Sequence, residues 1–233
     1  MAQTYGPKYP GIKDGLVFSF DPKNRDCWGG GTTNIKDLVL GTTGTPSGFD
    51  KDEFAGAITS EGYLHMDGSD DYVIWNAPTT NYFYNKDRTI TIWFNADTIP
   101  SGDAKGIATS TESNNAGPAT PTWTLGVGSS TAVRFYQGNR WATIKSSLST
   151  GTWYSVTNSY KHSTTSNKAY VNGVLEFSDS RTDQGQMDSQ ILIASDYFGK
   201  FDGKLGPGMI WDRQLSDGEV LANYNRLKGR FGL

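Results

Sequence analysis

Two acids aimed from one face of a strand, a histidine with a spaced companion, or a thiol beside a base would each mark a reactive centre. This 233-residue chain offers few of these ingredients. It has five glutamates, at positions 53, 61, 112, 176 and 219, and none stands in an alternating acid pattern. Retaining glycoside hydrolysis needs two carboxyls about 5–5.5 Å apart, and alternate residues of a strand are the ones that share a face. The densest acidic group is Asp67, Asp70 and Asp71, within Met66-Asp-Gly-Ser-Asp-Asp-Tyr72. Two roles suit it. Aspartates in a Gly-Ser turn accept backbone N–H bonds, and the same oxygens, joined by Asp21 or Asn24, could ligate calcium. The full calcium-loop spacing with its closing glutamate is absent, and no other cofactor is expected. His65 and His162 lack ligand-spaced companions. The single cysteine, Cys27, excludes an intrachain disulfide and, beside Trp28, reads as a small buried hydrophobe. Gly29-Gly30-Gly31 lacks the Gly-Lys-Ser/Thr ending of a phosphate loop. The chain is therefore expected to have no catalytic residues and not to be an enzyme.

Recognition fits the side chains better. Aromatic faces stack on the C–H surfaces of sugars while Asp, Asn and backbone groups bond the hydroxyls. Trp28, Trp141, Tyr197 and Phe198 fall in or beside expected loops and are the candidate carbohydrate contacts. The competing reading is that such rings anchor the core. Tyr82, Phe83 and Tyr84 stand in a row between polar residues. Strand alternation cannot bury all three, so this segment is a candidate assembly contact, together with Tyr5 and Tyr9 near the N-terminus.

These residues must be positioned by a β-rich body. Hydrophobic residues are 36% and charged residues 19%, with 28 glycines and 13% aromatics. That composition suits short strands joined by turns and is too aromatic for a disordered chain. A net charge of -3 gives no electrostatic footprint for nucleic acid. No apolar run is long enough for membrane insertion as a helix. The N-terminus has no signal-peptide pattern and no Asn-x-Ser/Thr sequon occurs, which points to synthesis in a reducing cytoplasm.

Strand patterns are expected at 15–20, 35–40, 62–66, 72–75, 89–95, 105–110, 122–127, 132–136, 141–145, 152–160, 168–171, 174–177, 190–194 and 204–211. Residues 41–52 read as a loop. In 89–95, Ile90, Ile92 and Phe94 share one face, and Thr89, Thr91, Trp93 and Asn95 the other. Asn172-Gly173 between apolar runs predicts a tight hairpin. One helix is predicted near the C-terminus, with Ser216 and Glu219 as a capping box, Leu215 and Val220 as its staple, and Gly229 at its end. The expected fold is all-β: a two-sheet antiparallel jelly-roll sandwich with one short C-terminal helix. Residues 1–13 are expected to form an extended docking arm and 14–233 one domain.

Several ordered segments resemble laminin-G-like members of the concanavalin A-like lectin/glucanase superfamily. They are residues 15–24 (GLVFSFDPKN), 63–73 (YLHMDGSDDYV), 88–94 (RTITIWF), Trp153-Tyr154, 169–174 (AYVNGV), 201–206 (FDGKLG), Met209-Ile-Trp211 and 215–224 (LSDGEVLANY). The resemblance implies a jelly roll and no particular activity. The Gly-Pro-Lys-Tyr-Pro arm, the Trp28-Gly-Gly-Gly-Thr-Thr loop and the closing NYNRLKGRFGL are similar to laminin-G-like proteins of tailed bacteriophages. That similarity implies a virion structural protein (a capsid decoration, fibre or tail accessory) lying at the virion surface. Its expected partners are other virion proteins, further copies of itself, and a cell-surface glycan. A carbohydrate-binding module whose main role is glycan recognition is the alternative it leaves open.

Overall fold

The computed structural model describes residues 11–28, 34–49, 62–76, 85–111, 123–128, 131–182, 190–196 and 199–233. Along the chain its strands are β1 (Leu16–Phe20), β2 (Ile35–Lys36), β3 (Thr43–Ser47), β4 (Leu64–Asp67), β5 (Tyr72–Asn76) and β6 (Arg88–Ala96). There follow β7 (Lys105–Thr111), β8 (Trp123–Gly128), β9 (Ala132–Gln137), β10 (Arg140–Lys145), β11 (Trp153–Lys161) and β12 (Ser166–Val171). The last are β13 (Val174–Ser180), β14 (Gln190–Ile193), β15 (Ser195–Asp196), β16 (Gly199–Lys200) and β17 (Asp202–Trp211), before helix α1 (Asp217–Leu227). They form two sheets. The first runs β1-β17-β6-β11-β12-β13, with β4 also on β17; the second runs β10-β9-β8-β7-β14-β5-β3-β2, with β15 and β16 beside β7. Pairing is antiparallel apart from one parallel bridge between Lys200 and Gly106.

Alternation explains the core. Ile90, Ile92 and Phe94 of β6 point between the sheets to meet Phe18, Phe20, Trp75, Leu125 and Phe135. The opposite face of β6 is also buried, because α1 covers it. Trp93, Trp153, Tyr170, Met209 and Trp211 pack there under Leu215, Val220, Leu227 and Phe231. Hydroxyls on that covered face pair across strands, Thr89 with Ser159 at 2.9 Å and Thr91 with Thr157 at 2.8 Å. Between the sheets, Trp123 Nε1 donates to Asn158 Oδ1 (3.0 Å). Asn158 Nδ2 then donates to Asn167 Oδ1 (2.6 Å), and Asn167 Nδ2 to Gln137 Oε1 (3.1 Å). This buried ladder ties the second sheet to the first, sheet–sheet–sheet–sheet in the order second, first, first, second.

The helix has the predicted capping box. Its end differs: a 3-10 turn, Lys228–Phe231, continues it, and Gly232 at φ 72° closes that turn where Gly229 was expected to act. Residues 43–47 form a strand where a loop was expected. β3 lies near the sheet edge, where Pro46 is tolerated. Its Gly44 lies so close to the Trp75 indole that a Cβ there would come within 2.3 Å. The strand expected over 35–40 stops at Lys36. Asp37 ends it by accepting N–H bonds from Ser19 and Val39 on Oδ1 (2.8 and 3.0 Å) and from Leu40 on Oδ2 (2.7 Å). Burial holds this carboxyl above the ordinary aspartate range despite those bonds.

Candidate functional site

The β9–β10 hairpin builds an aromatic and cationic surface. Gly138 and Asn139 both take positive φ (62° and 59°), the pair of conformations a two-residue turn needs. The turn sets Arg140 opposite Gln137 and Trp141 opposite Tyr136. Because Val133, Phe135, Ala142 and Ile144 point into the core, Arg134, Tyr136, Trp141 and Thr143 face outward. Trp141 is half-buried, and Tyr136 meets it edge-on at 5.4 Å between ring centroids. The Tyr136 hydroxyl donates to Asn139 Oδ1 at 2.6 Å, and partial burial raises its pKa. The Arg134 guanidinium carbon lies 5.2 Å from the Trp141 ring centroid. Across the sheet this row continues through Thr124, opposite Tyr136, and Thr109, opposite Thr124. The hydroxyls of both threonines are buried and make no hydrogen bond. The arrangement can hold a sugar ring against the indole and bond its hydroxyls at the rim.

A second feature lies where β4 and β17 end. A polar cleft of about 170 Å³ is lined by Asp67, Thr98, Lys105, Lys200, Phe201 and Asp202. The Lys200 ammonium sits 3.9 Å from the Tyr72 ring centroid. At the rim, Asp67, Asp70 and Asp71 bring carboxylate oxygens within 4.8 Å of one another and could hold a cation. They also perform the turn role. Asp67 Oδ1 accepts the Ser69 N–H at 2.7 Å, and Asp71 Oδ2 accepts the Asp67 N–H at 2.9 Å. The Ser69 bond lowers the Asp67 pKa.

Other candidates are placed elsewhere. Trp28 is only 1% exposed and offers no face to a sugar, which corrects its assignment as a carbohydrate contact. Cys27 is buried with it, as expected. Asp21 is taken by Arg230, whose Nη1 donates to both carboxylate oxygens (2.8 and 2.9 Å), and Asn24 Oδ1 accepts the Asp26 N–H. Neither therefore joins the Asp67 cluster. His65 contacts Asp97 at 3.0 Å. Tyr5, Tyr9, Tyr82, Phe83, Tyr84, Tyr197 and Phe198 lie outside the described residues, or have side chains outside them. So do Gly29, Gly30 and Gly31. Tyr136 and Arg134 were not singled out from sequence. The Gly138-Asn139 pair, a hairpin signal in its own right, would have found them by placing Tyr136 opposite Trp141.

No curated protein matches the chain. Among solved structures, Trypanosoma rangeli sialidase in complex with 2,3-difluoro-KDN superposes with a TM-score of 0.70 and 13% identity, covering 99% of this chain and 36% of that one. The chain thus spans about a third of the sialidase's length. The botulinum neurotoxin serotype D binding domain gives 0.64 and 17%, over 91% of this chain and 52% of that one. Domain 4 of AbnA, an extracellular arabinanase from Geobacillus stearothermophilus solved with arabinotriose, gives 0.64 and 14%, over 91% of this chain and 100% of that one. At such identities these likenesses are of fold. A family model for the concanavalin A-like lectin/glucanases superfamily matches residues 67–221, which contain β5 to β17, the Asp70–Asp71 pair and most of α1. With the sandwich and the sequence agreeing over that span, the chain belongs to the concanavalin A-like lectin/glucanases superfamily.

Proposed function

We propose that this protein is a non-catalytic glycan-binding module carried on a virion surface, and that the outward face of the β9–β10 hairpin takes the sugar. The observation that carries this reading is Trp141. It is a half-buried indole fixed by Tyr136 on the outside of the second sheet, with Asn139, Thr143 and Arg134 around it. An indole held in one orientation loses little entropy when a ring stacks on it. The arabinanase domain solved with arabinotriose, matched over its whole length, supports saccharide binding by this fold. The non-catalytic reading is supported by what the described glutamates do: Glu176 pairs with Lys145, and Glu219 with Arg213. The test is a glycan array followed by calorimetry on the best ligand. Trp141→Ala is expected to weaken binding at least about tenfold while leaving the fold intact. Unchanged binding would remove Trp141 from the site. Polysaccharide cleavage lost on changing one acid would overturn the non-catalytic assignment.

The virion placement is carried by the similarity of the arm, the opening strand and the closing segment to laminin-G-like phage proteins. A separate observation favours an assembly role beside glycan recognition. Val174 and Leu175 at the β12–β13 tip are 59% and 43% exposed, and Leu221 on the adjoining face of α1 is 44% exposed. Contiguous exposed apolar side chains are the kind of surface that partner proteins cover.

A further inference from the structure

We infer that the saccharide taken by the Trp141 face carries a carboxylate, read by Arg134. This inference rests on the glycan reading above and names the class of sugar it concerns. Three observations support it. First, the β9–β10 hairpin carries cations that the fold directs differently. Arg140 Nη2 donates to Ser180 O at 2.8 Å and lies 3.6 Å from Asp179, and Lys145 pairs with Glu176, so both are turned to β13 of the opposite sheet. Arg134 instead points out beside the indole, 5.2 Å from its centroid. Second, the other outward residues of β8, β9 and β10 around it are threonine, glycine, tyrosine and tryptophan. The strands themselves thus put no carboxylate on this surface, in a chain whose net charge is -3. Third, the group is a guanidinium lying near an aromatic ring. Its planar fork matches a carboxylate through two parallel hydrogen bonds, and stacking pre-organises it for that contact. A pyranose lying on Trp141 would bring an equatorial carboxylate at its rim within reach of this fork.

The experiment compares a uronic-acid oligosaccharide chosen from array hits with its carboxyl-reduced counterpart, by calorimetry on the intact chain. The wild type is expected to bind the acidic form at least about tenfold more tightly in dilute buffer. That preference is expected to shrink at about 0.5 M salt. Arg134→Gln is expected to abolish the preference while neutral binding persists, and Arg134→Lys to restore part of it. Trp141→Ala should weaken both ligands alike. Equal affinity for the two forms, an undiminished preference in Arg134→Gln, or binding confined to sulfated neutral sugars would overturn the inference and leave the glycan reading standing. If no acidic or neutral glycan binds the wild type, that reading fails and this one falls with it.

Discussion

Burial pushes the Cys27 thiol up to about 12, so at neutral pH this sulfur is a packing atom that accepts the Asp21 N–H at 3.3 Å. Its neighbour Trp28 is equally enclosed, although the glycines after it suggest an open loop. Sequence marks residue type, but exposure depends on what the rest of the chain lays over the residue. Trp141 could be singled out as an aromatic, whereas Arg134 became part of a site only through a cross-strand register. Glu219 shows the opposite case, a residue whose role the sequence states in full. Its carboxylate accepts from the Ser216 N–H at 2.8 Å and from Arg213 at 2.6 and 3.1 Å. Chiefly through Arg213, its pKa falls from 4.5 to about 2. A depressed folded-state pKa means that the ionised form stabilises the fold above the unfolded value, and that this contribution is lost as pH falls toward the folded one. Glu219→Gln is therefore expected to cost about 1–2 kcal/mol at pH 7. The gap from wild type should shrink below pH 4.5 and vanish near pH 2 in denaturant melts. A gap that does not change with pH would mean that the charge contributes nothing.

Elements with a strong local signal were legible, and those set by their neighbours were not. The predicted Asn172-Gly173 hairpin forms with φ 53° and 77°. It is further secured from β11, since Asn172 N–H donates to Ser155 O at 2.8 Å and Ser155 N–H to Asn172 Oδ1 at 2.9 Å. β3 escaped notice because its Thr-Gly-Thr-Pro-Ser sequence has no apolar alternation. It exists because β5 offers it a partner and the Trp75 ring needs the space above Gly44. The Gly173 turn also touches α1. A Cβ there would lie 3.0 Å from Leu221 Cδ1 and 3.1 Å from Tyr224 Cδ1, in a backbone conformation that disfavours L side chains. Gly173→Ala is expected to cost about 1–2 kcal/mol, read as a lower unfolding midpoint at unchanged m-value. Asn172 supplies the Oδ1 acceptor, so Asn172→Gly, which keeps the turn geometry, tests whether that hydrogen bond or the turn itself carries the hairpin.

At the scale of the molecule, strand count and alternation were enough to imply a sandwich, but not a sheet covered on both faces. Ile-Thr-Ile alternation in β6 reads as one wet face, and only the returning chain end shows otherwise. β17 pairs with β1, and the following segment brings Phe231 to stack on Trp93 at 4.6 Å. The first described residues join the same closure. Ile12 N–H donates to Asn223 Oδ1 at 3.0 Å, and Trp211 Nε1 donates to Ile12 O at 2.9 Å. An arm expected over 1–13 is thus already bonded to the body at Ile12, and this separates docking from stability. Deletion of residues 1–10 keeps both Ile12 bonds and is expected to leave the melting temperature nearly unchanged. Deletion of residues 1–13 strips the acceptor from a buried indole N–H and is expected to cost about 1–3 kcal/mol. If the arm docks the protein on its particle, the shorter deletion should abolish incorporation while the isolated protein still binds glycan. Particles that take up the residue 1–10 deletion at wild-type levels would leave the arm without a docking role and place assembly on the body, where Val174, Leu175 and Leu221 are exposed.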